Sequence, residues 1–326
     1  MTKWEIENLL RPYNIPSGPG YTVPEAFESE QLNSRNMVVE VEDKQIGKIR
    51  MPGSPIKISG IDDVPAGSAP LLGEDTAPLL ADIGYTEEQI AGLMEENIVM
   101  CEGGRKMRPL EGITVLDFTQ AYSGPYCAMN LADYGARVIK VERIDTGDQS
   151  RFWNPYAANG NSGYFAVYNR NKEGIAVDMR APEGKEIIKR LYGKVDVVLE
   201  NFKFGTLDKL GLGYEEMKKI NPEIIFGSIT GFGQTGPLRA NTAYDNVIEC
   251  MSGFMEMTGF PEFPPLRSGA SVADSYTGLT MALAITLACY DKKRTGKGRG
   301  SMLLCWIRCL RLSRMQCWHM RLQARK

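Results

Sequence analysis

One carboxylate, Asp274, is the side chain of this 326-residue sequence that is best placed for covalent chemistry. It follows a run of small residues, 268–273, and precedes an apolar run, 279–290, that is typical of a buried helix. We therefore expect Asp274 at a helix start, beside unpaired N–H groups and the positive end of the helix dipole. The ordinary interpretation is an Asp N-cap. The chemical interpretation is a carboxylate nucleophile, kept ionised by the helix terminus and accessible because its neighbours are small.

The composition argues against several other chemistries. Seven cysteines without a Cys-x-x-Cys pair, and a single histidine, His319, support neither a disulfide framework, a metal site nor a Ser-His or Cys-His catalytic scheme. The chain is 24% charged with a formal net charge of −2, so nothing indicates nucleic acid or a membrane as partner. No apolar run approaches the roughly 20 residues of a membrane span, and the first residues lack a signal peptide's apolar core. We expect a cytoplasmic protein.

The elements that must position Asp274 alternate between strands and helices from residue 107 onward. Strands are predicted at 113–118, 137–142, 175–179, 195–200 and 223–228. Helices are predicted from Pro125 to Gly135, at 182–192, near Leu207 and Tyr214, at 244–255 and at 274–290. The alternation predicts an α/β fold with a mostly parallel, doubly wound, Rossmann-like sheet and helices on both faces. Peripheral pieces are predicted before it, with helices at 4–10, 76–83 and 86–97 and short strands at 37–41 and 55–59.

The first βαβ unit does not carry the features of an NAD site. The turn after its first strand, residues 119–125, lacks the Gly-x-Gly-x-x-Gly fingerprint. A nucleotide-bearing ligand at the carboxyl ends of the strands is still compatible with such a fold. Arg143, directly after the second strand, suits a phosphate contact, and a solvated surface arginine is the alternative.

Several longer motifs then occur in a recognisable order. They are PLEGITVLDFT at 109–119, GARVIKVER at 135–143, NRNKEGIAVDM at 169–179, EGKEIIKRL at 183–191, DVVLENF at 196–202, GFGQTGP at 231–237, AYDNV at 243–247 and SGASVADSYTG at 268–278. Together they resemble the class III CoA-transferases, which include formyl-CoA, carnitine-CoA, bile-acid-CoA and aryl-lactate-CoA transferases. The resemblance spans residues 107–300.

The resemblance implies that Asp274 is the family's nucleophile. Its carboxylate would attack the thioester of an acyl-CoA to give a mixed anhydride, and the CoA thiolate would return to give an aspartyl thioester. An acceptor carboxylate would then complete the exchange. The substrates implied are an acyl-CoA and a carboxylic acid, with coenzyme A taking part as substrate and with no metal and no NAD. Backbone N–H groups at the helix start are expected to stabilise the oxyanions.

The resemblance also implies a set of contacts to CoA. These residues are Gln120, Ala121, Tyr122, Ser123, Arg143, Asn201, Phe202, Lys209 and Tyr244. Arg143 would lie at the phosphate or adenine and Tyr244 near the thioester. Lys209 stands where the family has an arginine, which keeps the charge and loses the planar fork. Structural alternatives stay open: Phe202 as core, Tyr244 as a helix start and Asn201 as the cap of a turn.

Two other functions are compatible with the same residues. One is a truncated, non-catalytic remnant that binds CoA or a homologous subunit. The other, more distant, is α-methylacyl-CoA racemisation, which in the related racemases uses a His and an Asp as the acid–base pair. The segment that corresponds to the racemase histidine is Ala-Tyr-Asp-Asn at 243–246, and it contains no histidine.

The order of the segments departs from the family. Residues 1–106 resemble the family's C-terminal third but precede residues 107–300, which resemble its N-terminal half. We interpret this order as the junction of two neighbouring transferase genes. Residues 301–326, rich in Cys, Trp, Met and Arg, are interpreted as an out-of-frame tail, and a basic amphipathic helix for a partner or membrane is the alternative. The family forms interlocked homodimers, whose ring we do not expect to close without the family's middle segment.

Overall fold

The structure, a computed structural model, describes most of the chain. The described residues are 1–13, 21–44, 46–53, 67–96, 98–99, 109–157, 160–260, 262–297 and 300–304. The chain forms two compact units, Met1–Val41 with Lys48–Ala66 and Glu42–Gly47 with Gly67–Lys326. The boundaries predicted at residues 106 and 300 concern the origin of the segments and stay a prediction.

The N-terminal region holds short helices and one hairpin. The elements are α1 (Lys3–Leu10), a 3-10 helix (Arg11–Tyr13), α2 (Val23–Phe27), α3 (Glu30–Asn33), β1 (Val38–Asp43) and β2 (Gly47–Pro52). β1 and β2 form a two-stranded sheet. The prediction placed the second strand at 55–59, which lies outside the described residues. The strand at Gly47–Pro52 was not predicted from the sequence.

The larger unit is a doubly wound α/β fold. Its elements are α4 (Thr76–Asp82), α5 (Glu87–Glu95), β3 (Thr114–Asp117), α6 (Ser123–Asp133), β4 (Arg137–Glu142), α7 (Gly163–Tyr168), β5 (Glu173–Ala176), α8 (Pro182–Tyr192), β6 (Val197–Glu200), α9 (Thr206–Leu210), α10 (Tyr214–Ile220), β7 (Ile225–Thr230), α11 (Asp245–Met251), α12 (Val272–Thr295) and β8 (Gly300–Leu304). Short 3-10 helices lie at Gln149–Phe152 and Met255–Met257. The helix predicted to open at Pro125 begins at Ser123, and the one predicted at 244–255 ends at Met251.

The sheet confirms the predicted fold class. Its six strands are all parallel in the order β5-β4-β3-β6-β7-β8. The chain runs outward from β3 to β5 on one side and returns through β6 to β8 on the other. The order therefore reverses between β3 and β6, and the carboxyl ends of these two strands form the topological switch point where doubly wound folds bind ligands.

Both faces of the sheet are covered, which explains the near-continuous apolar strands. Val115 and Leu116, neighbours on β3, are both fully buried and belong to separate hydrophobic clusters on opposite faces. Helices α6 and α12 cover the Val115 face, with Met281 of α12 in that cluster. Helices α4, α5 and α8 cover the Leu116 face.

Helix α12 is longer than predicted and carries two different faces. Its inner face packs on α6 and β7, whereas its outer face exposes an apolar stripe of Leu279, Leu283, Leu287 and Tyr290. Among the described residues it is the single helix long and apolar enough to cross a membrane, a criterion that core helices also meet. The expectation that no apolar segment reaches that length is therefore wrong.

Candidate active site

Asp274 lies in the first turn of α12, not at its N-cap. The N-cap position is held by Ser271, whose side chain makes no capping hydrogen bond. The capping role falls instead to Asp245, the first residue of α11, whose Oδ1 accepts the Asp274 N–H at 3.1 Å. The Ala273 N–H also donates to Asp245. Because Asp245 caps the helix from another element, the Asp274 carboxylate is left for other contacts.

The Asp274 carboxylate points into a cavity of about 260 Å³, which we name the nucleophile cavity. Its lining includes Gln120, Ala121, Tyr122, Ser123, Asn201, Phe202, Arg239, Tyr244 and Asp274. The Ser123 hydroxyl hydrogen-bonds to Asp274, and the Tyr122 hydroxyl lies 2.8 Å from Ser275 Oγ. Side chains from the ends of β3 and β6 and from the starts of α11 and α12 therefore meet at the switch point of the sheet.

Burial changes the protonation of Asp274. It raises the pKa of Asp274 to about 7, and the negative charge of Asp245 adds to the rise, while the Ser123 hydrogen bond opposes it. Asp245 is itself buried, and burial raises its pKa as well. Its Oδ2 accepts no hydrogen bond among the described residues and lies 4.0 Å from Nη2 of Arg267. The helix terminus therefore does not keep Asp274 as readily ionised as expected, because desolvation and the like charge of Asp245 raise its pKa.

The first N–H groups of α12 are already bonded, so they do not form the expected oxyanion site. Val272 donates to Ala270 O, Ser275 donates to Ser271 O, and the two between them donate to Asp245. The N-terminus of α6 is another helix start at the cavity. Among the described residues, the N–H groups of Ser123 and Gly124 find no acceptor.

A second cavity, of about 480 Å³, lies next to the first, and we name it the basic cavity. Its lining includes Gln120, Arg143, Asp145, Asp178, Met179, Arg180, Phe202, Thr206 and Lys209. Arg143 makes a bidentate pair with Asp145 at 2.6 and 3.0 Å, and Arg180 pairs with Asp178 at 3.1 Å. These exposed pairs are weak, so an anion that binds both arginines can displace the carboxylates.

Gln120 and Phe202 line both cavities, which are therefore adjacent. The Gln120 N–H donates to Asn201 Oδ1 at 2.8 Å, and Asn201 Nδ2 donates to Gln120 O at 2.7 Å. This reciprocal pair ties the loop after β3 to the loop after β6. Asn201 thus serves neither as a turn cap nor as a free side chain, because it bridges the switch point.

All ten residues predicted for the site line one of these two cavities. Eight of them line the nucleophile cavity, and Arg143 and Lys209 line the basic cavity. Phe202 also packs against the core cluster, which confirms the structural alternative, while its contact with CoA stays a prediction. Tyr244 is 60% exposed and precedes α11 without capping it by its side chain.

The sequence reasoning missed Asp245, Arg180 and Arg239. Asp245 stands next to Tyr244 in the AYDNV motif, and a buried acid at a helix start is a signal that could have found it. Arg180 follows its strand by a few residues, as Arg143 does on the neighbouring strand. Arg239 lies in a loop, where no local pattern marks it, and its guanidinium stands 5.2 Å from the Phe204 ring centroid.

Comparison with known proteins places this chain in one class, the CoA-transferases. The chain belongs to CoA-transferase family III, whose family model matches residues 1–76 and 110–318. The second matched segment runs past residue 300, where the motif resemblance ends.

Individual relatives agree with this family. Succinyl-CoA:glutarate CoA-transferase from Mus musculus is 47% identical over 192 residues, which are 59% of this chain and 44% of the relative. Succinyl-CoA–D-citramalate CoA-transferase from Chloroflexus aurantiacus is 43% identical over 195 residues, 60% of this chain and 48% of the relative. A CAIB/BAIF family protein from Brucella suis superposes with a TM-score of 0.64 at 39% identity, covering 67% of this chain and 59% of that one. The chain thus spans about half the length of the curated relatives it matches.

We predict that Asp245→Asn lowers the pKa of Asp274. The asparagine keeps an oxygen for the Asp274 N–H but removes the like charge that disfavours ionisation. A 13C NMR titration of the aspartate side-chain carboxyls, with the Asp274 signal assigned by its loss in Asp274→Asn, measures the value directly. Glu183→Gln, an exposed position on α8, is the matched control and leaves the titration at its wild-type midpoint near 7. An unchanged midpoint in Asp245→Asn would show that burial alone sets this pKa.

Proposed function

We propose that this protein transfers CoA from an acyl-CoA thioester to an acceptor carboxylic acid through covalent intermediates on Asp274. The observation that carries the proposal is the position of this carboxylate. It lies uncommitted to helix capping in a cavity that shares Gln120 and Phe202 with a second cavity lined by Arg143, Arg180 and Lys209. A long ligand with a phosphorylated end and a reactive end matches that layout.

The proposed reaction conserves charge and needs no proton at any step. An oxygen of the Asp274 carboxylate attacks the thioester carbonyl, the C–S bond breaks, and a mixed anhydride and CoA thiolate form. The thiolate attacks the aspartyl carbonyl, which releases the donor as a carboxylate and leaves an aspartyl CoA thioester. The acceptor carboxylate then repeats these two steps in reverse order and leaves as its CoA thioester. Covalent catalysis of this kind replaces one difficult exchange by several easier ones.

The chain's own groups fit these steps. The Ser123 hydroxyl holds the orientation of Asp274, and the unbonded N–H groups at the start of α6 can stabilise the oxyanion of each tetrahedral intermediate. The guanidinium groups of Arg143 and Arg180, together with the Lys209 ammonium, supply the charge for phosphate groups. An Asp274 pKa of about 7 gives a substantial ionised fraction at neutral pH together with a more basic nucleophile than an ordinary aspartate.

The acyl donors in the names of the relatives give the first substrates to try. Succinyl-CoA with glutarate or D-citramalate is the panel that two of them indicate, and the chemistry of the nucleophile cavity does not by itself select an acid. Two alternatives remain as distinct outcomes. A CoA-binding protein without turnover would retain CoA and form no adduct. A racemase would exchange the α-hydrogen of a 2-methylacyl-CoA, although the described lining of the cavity contains no histidine.

The decisive test of the proposed function is to trap the intermediate. We expect incubation with succinyl-CoA followed by hydroxylamine to convert Asp274 to its hydroxamate, because anhydrides and thioesters react with this nucleophile and free carboxylates do not. Mass spectrometry of the peptide that contains Asp274 identifies the product, and succinate in place of succinyl-CoA is the control. Retention of CoA in equilibrium dialysis without any Asp274 adduct would replace the transferase proposal with the CoA-binding alternative.

A further inference from the structure

The loop that carries Ser123 to the nucleophile contains a residue in an unusual conformation. Ala121 has a φ of +68°, in the left-handed region that residues with a Cβ rarely adopt. Such conformations persist where the surroundings impose them, and they concentrate at functional sites. Ala121 immediately precedes Tyr122 and Ser123, whose side chains contact Ser275 and Asp274 on α12.

The constraint on Ala121 comes from a buried carboxylate behind the loop. The Ala121 N–H donates to Asp148 Oδ1 at 3.2 Å, and Asp148 is 1% exposed. The same oxygen accepts the N–H and the hydroxyl of Ser150 at 2.9 and 2.8 Å, so its position is fixed. The other oxygen, Oδ2, pairs at 2.8 Å with Nζ of Lys140, which is fully buried on β4.

Lys140 also holds the residue on the other side of the turn. Its ammonium donates to Thr119 O at 2.9 Å, in addition to its pair with Asp148. Between them, Gln120 is held by its reciprocal bonds to Asn201. Three consecutive residues of the loop are therefore held by three different side chains, of which Lys140 and Asp148 are buried.

We infer that Asp148, oriented by Lys140, is a positioning residue that keeps Ala121 left-handed and thereby directs Ser123 and the start of α6 at Asp274. Neither Asp148 nor Lys140 lines the nucleophile or the basic cavity, so neither touches a substrate there. The effect on turnover rests on the proposed function. The effect on the loop does not, because it follows from the hydrogen bonds alone.

Asp148→Asn separates these two effects. An asparagine has one oxygen, and the Lys140 ammonium attracts that oxygen more strongly than the neutral amides do. Its NH₂ group then faces the N–H of Ala121, and the bond that imposes the left-handed φ is lost. We expect transfer of CoA from succinyl-CoA to glutarate to fall roughly 10- to 100-fold, the range for a small misplacement of catalytic groups.

The inference is tested by rescue. Ala121→Gly adopts a positive φ without help, so the double variant Asp148→Asn with Ala121→Gly is expected to recover most of the rate of Ala121→Gly alone. A loss caused by general damage to the fold would not be repaired by one glycine in this loop. Ser150→Ala, which removes one of the bonds that orient Asp148, is a milder second variant with the same expected rescue.

The loop itself is read out independently of activity. The 13Cβ chemical shift of Ala121, assigned by its loss in Ala121→Gly, depends on the backbone conformation and is expected to move in Asp148→Asn. A double variant as slow as Asp148→Asn, or an unchanged Ala121 shift in Asp148→Asn, would overturn the inference. If the Ala121 shift moves in Asp148→Asn but the wild-type protein shows no transferase activity, the positioning role stands and the proposed function is overturned instead.

Discussion

Asp274→Asn is expected to lower the rate of CoA transfer by at least about 10⁴-fold, the scale seen when a covalent nucleophile is removed. The amide is too weak a nucleophile to attack a thioester, while its size and its place in the first turn of α12 are unchanged. Steady-state transfer from succinyl-CoA to glutarate measures the loss. Asp274→Ala, which cannot deamidate back to aspartate, is the control and is expected to show the same residual rate. A lower rate in Asp274→Ala than in Asp274→Asn would mean that deamidated protein supplies the residual activity.

The same substitution is expected to stabilise the fold. The pKa of Asp274 is about 7 in the folded protein and near 3.8 in an unfolded chain, so the native state binds more protons between these values. Its contribution to stability is therefore present below about pH 4 and is lost as the pH rises through 7. An asparagine does not ionise, so Asp274→Asn does not lose stability as the pH rises through 7. Its free energy of unfolding at pH 8 should therefore exceed the wild-type value by an amount on the order of 2 kcal/mol.

Denaturant unfolding at pH 8 and pH 5 measures this difference, with Glu183→Gln as the surface control. An Asp274→Asn variant that is fast, or one that is less stable than wild type at pH 8, would contradict the assignment of a desolvated nucleophile. We expect the variant to be more stable and less active than the wild type, as is usual where an active site keeps a buried charge.

Gly278→Ala is expected to produce the second large effect. Gly278 lies one turn after Asp274 on α12, where α12 crosses α6, and a Cβ added there would stand 2.5 Å from the Ser123 carbonyl oxygen and 3.1 Å from Tyr126 Cδ1. The Ser123 carbonyl belongs to the backbone, so it cannot move aside as a flexible side chain can. A glycine-to-alanine change in a helix interior normally gains up to about 1 kcal/mol, but overpacking of a fixed contact costs about 1–3 kcal/mol.

The clash outweighs the helix propensity, so Gly278→Ala should lower the free energy of unfolding by about 1–2 kcal/mol. It should also lower turnover roughly 100-fold, because it separates Ser123 from Asp274. Gly92→Ala on α5 is the matched control, since nothing lies within 4 Å of its added Cβ, and it should stabilise the protein slightly. Wild-type activity in Gly278→Ala would show that the contact between the two helices does not set the geometry of the site.

The sequence was informative where local patterns decide the structure. Helix α8 has the predicted bounds, 182–192, because Pro182 marks its start and its apolar spacing is regular. Five of the six strands of the sheet were predicted within a few residues, because burial on both faces leaves continuous apolar runs. The sixth strand, β8, was not predicted, since most of it lies in the segment that was interpreted as an out-of-frame tail. The motif that contains Asp274 was found because a single acid stands out among small residues.

The predictions from the sequence failed where residues far apart in the chain determine the local structure. Asp274 and Asp245 are 29 positions apart in the sequence, so no local pattern shows that one caps the helix of the other. The pKa of Asp274 was misjudged for the same reason, since its desolvation and its like-charged neighbour exist only in the folded chain. The basic cavity likewise combines Arg143 after β4, Arg180 after β5 and Lys209 on α9. Their proximity follows from the strand order, which the sequence pattern does not specify.

The adjacency of the two cavities, which share Gln120 and Phe202, has a consequence for the leaving group of the proposed reaction. In the proposed reaction, CoA held by its phosphates in the basic cavity stays tethered after its C–S bond breaks. A tethered group reaches effective concentrations of about millimolar or more at its target, so the thiolate meets the aspartyl anhydride again before free thiols or water do. In the proposed reaction one CoA therefore passes between two acids, and we expect the free CoA of the surroundings neither to feed the exchange nor to drain it.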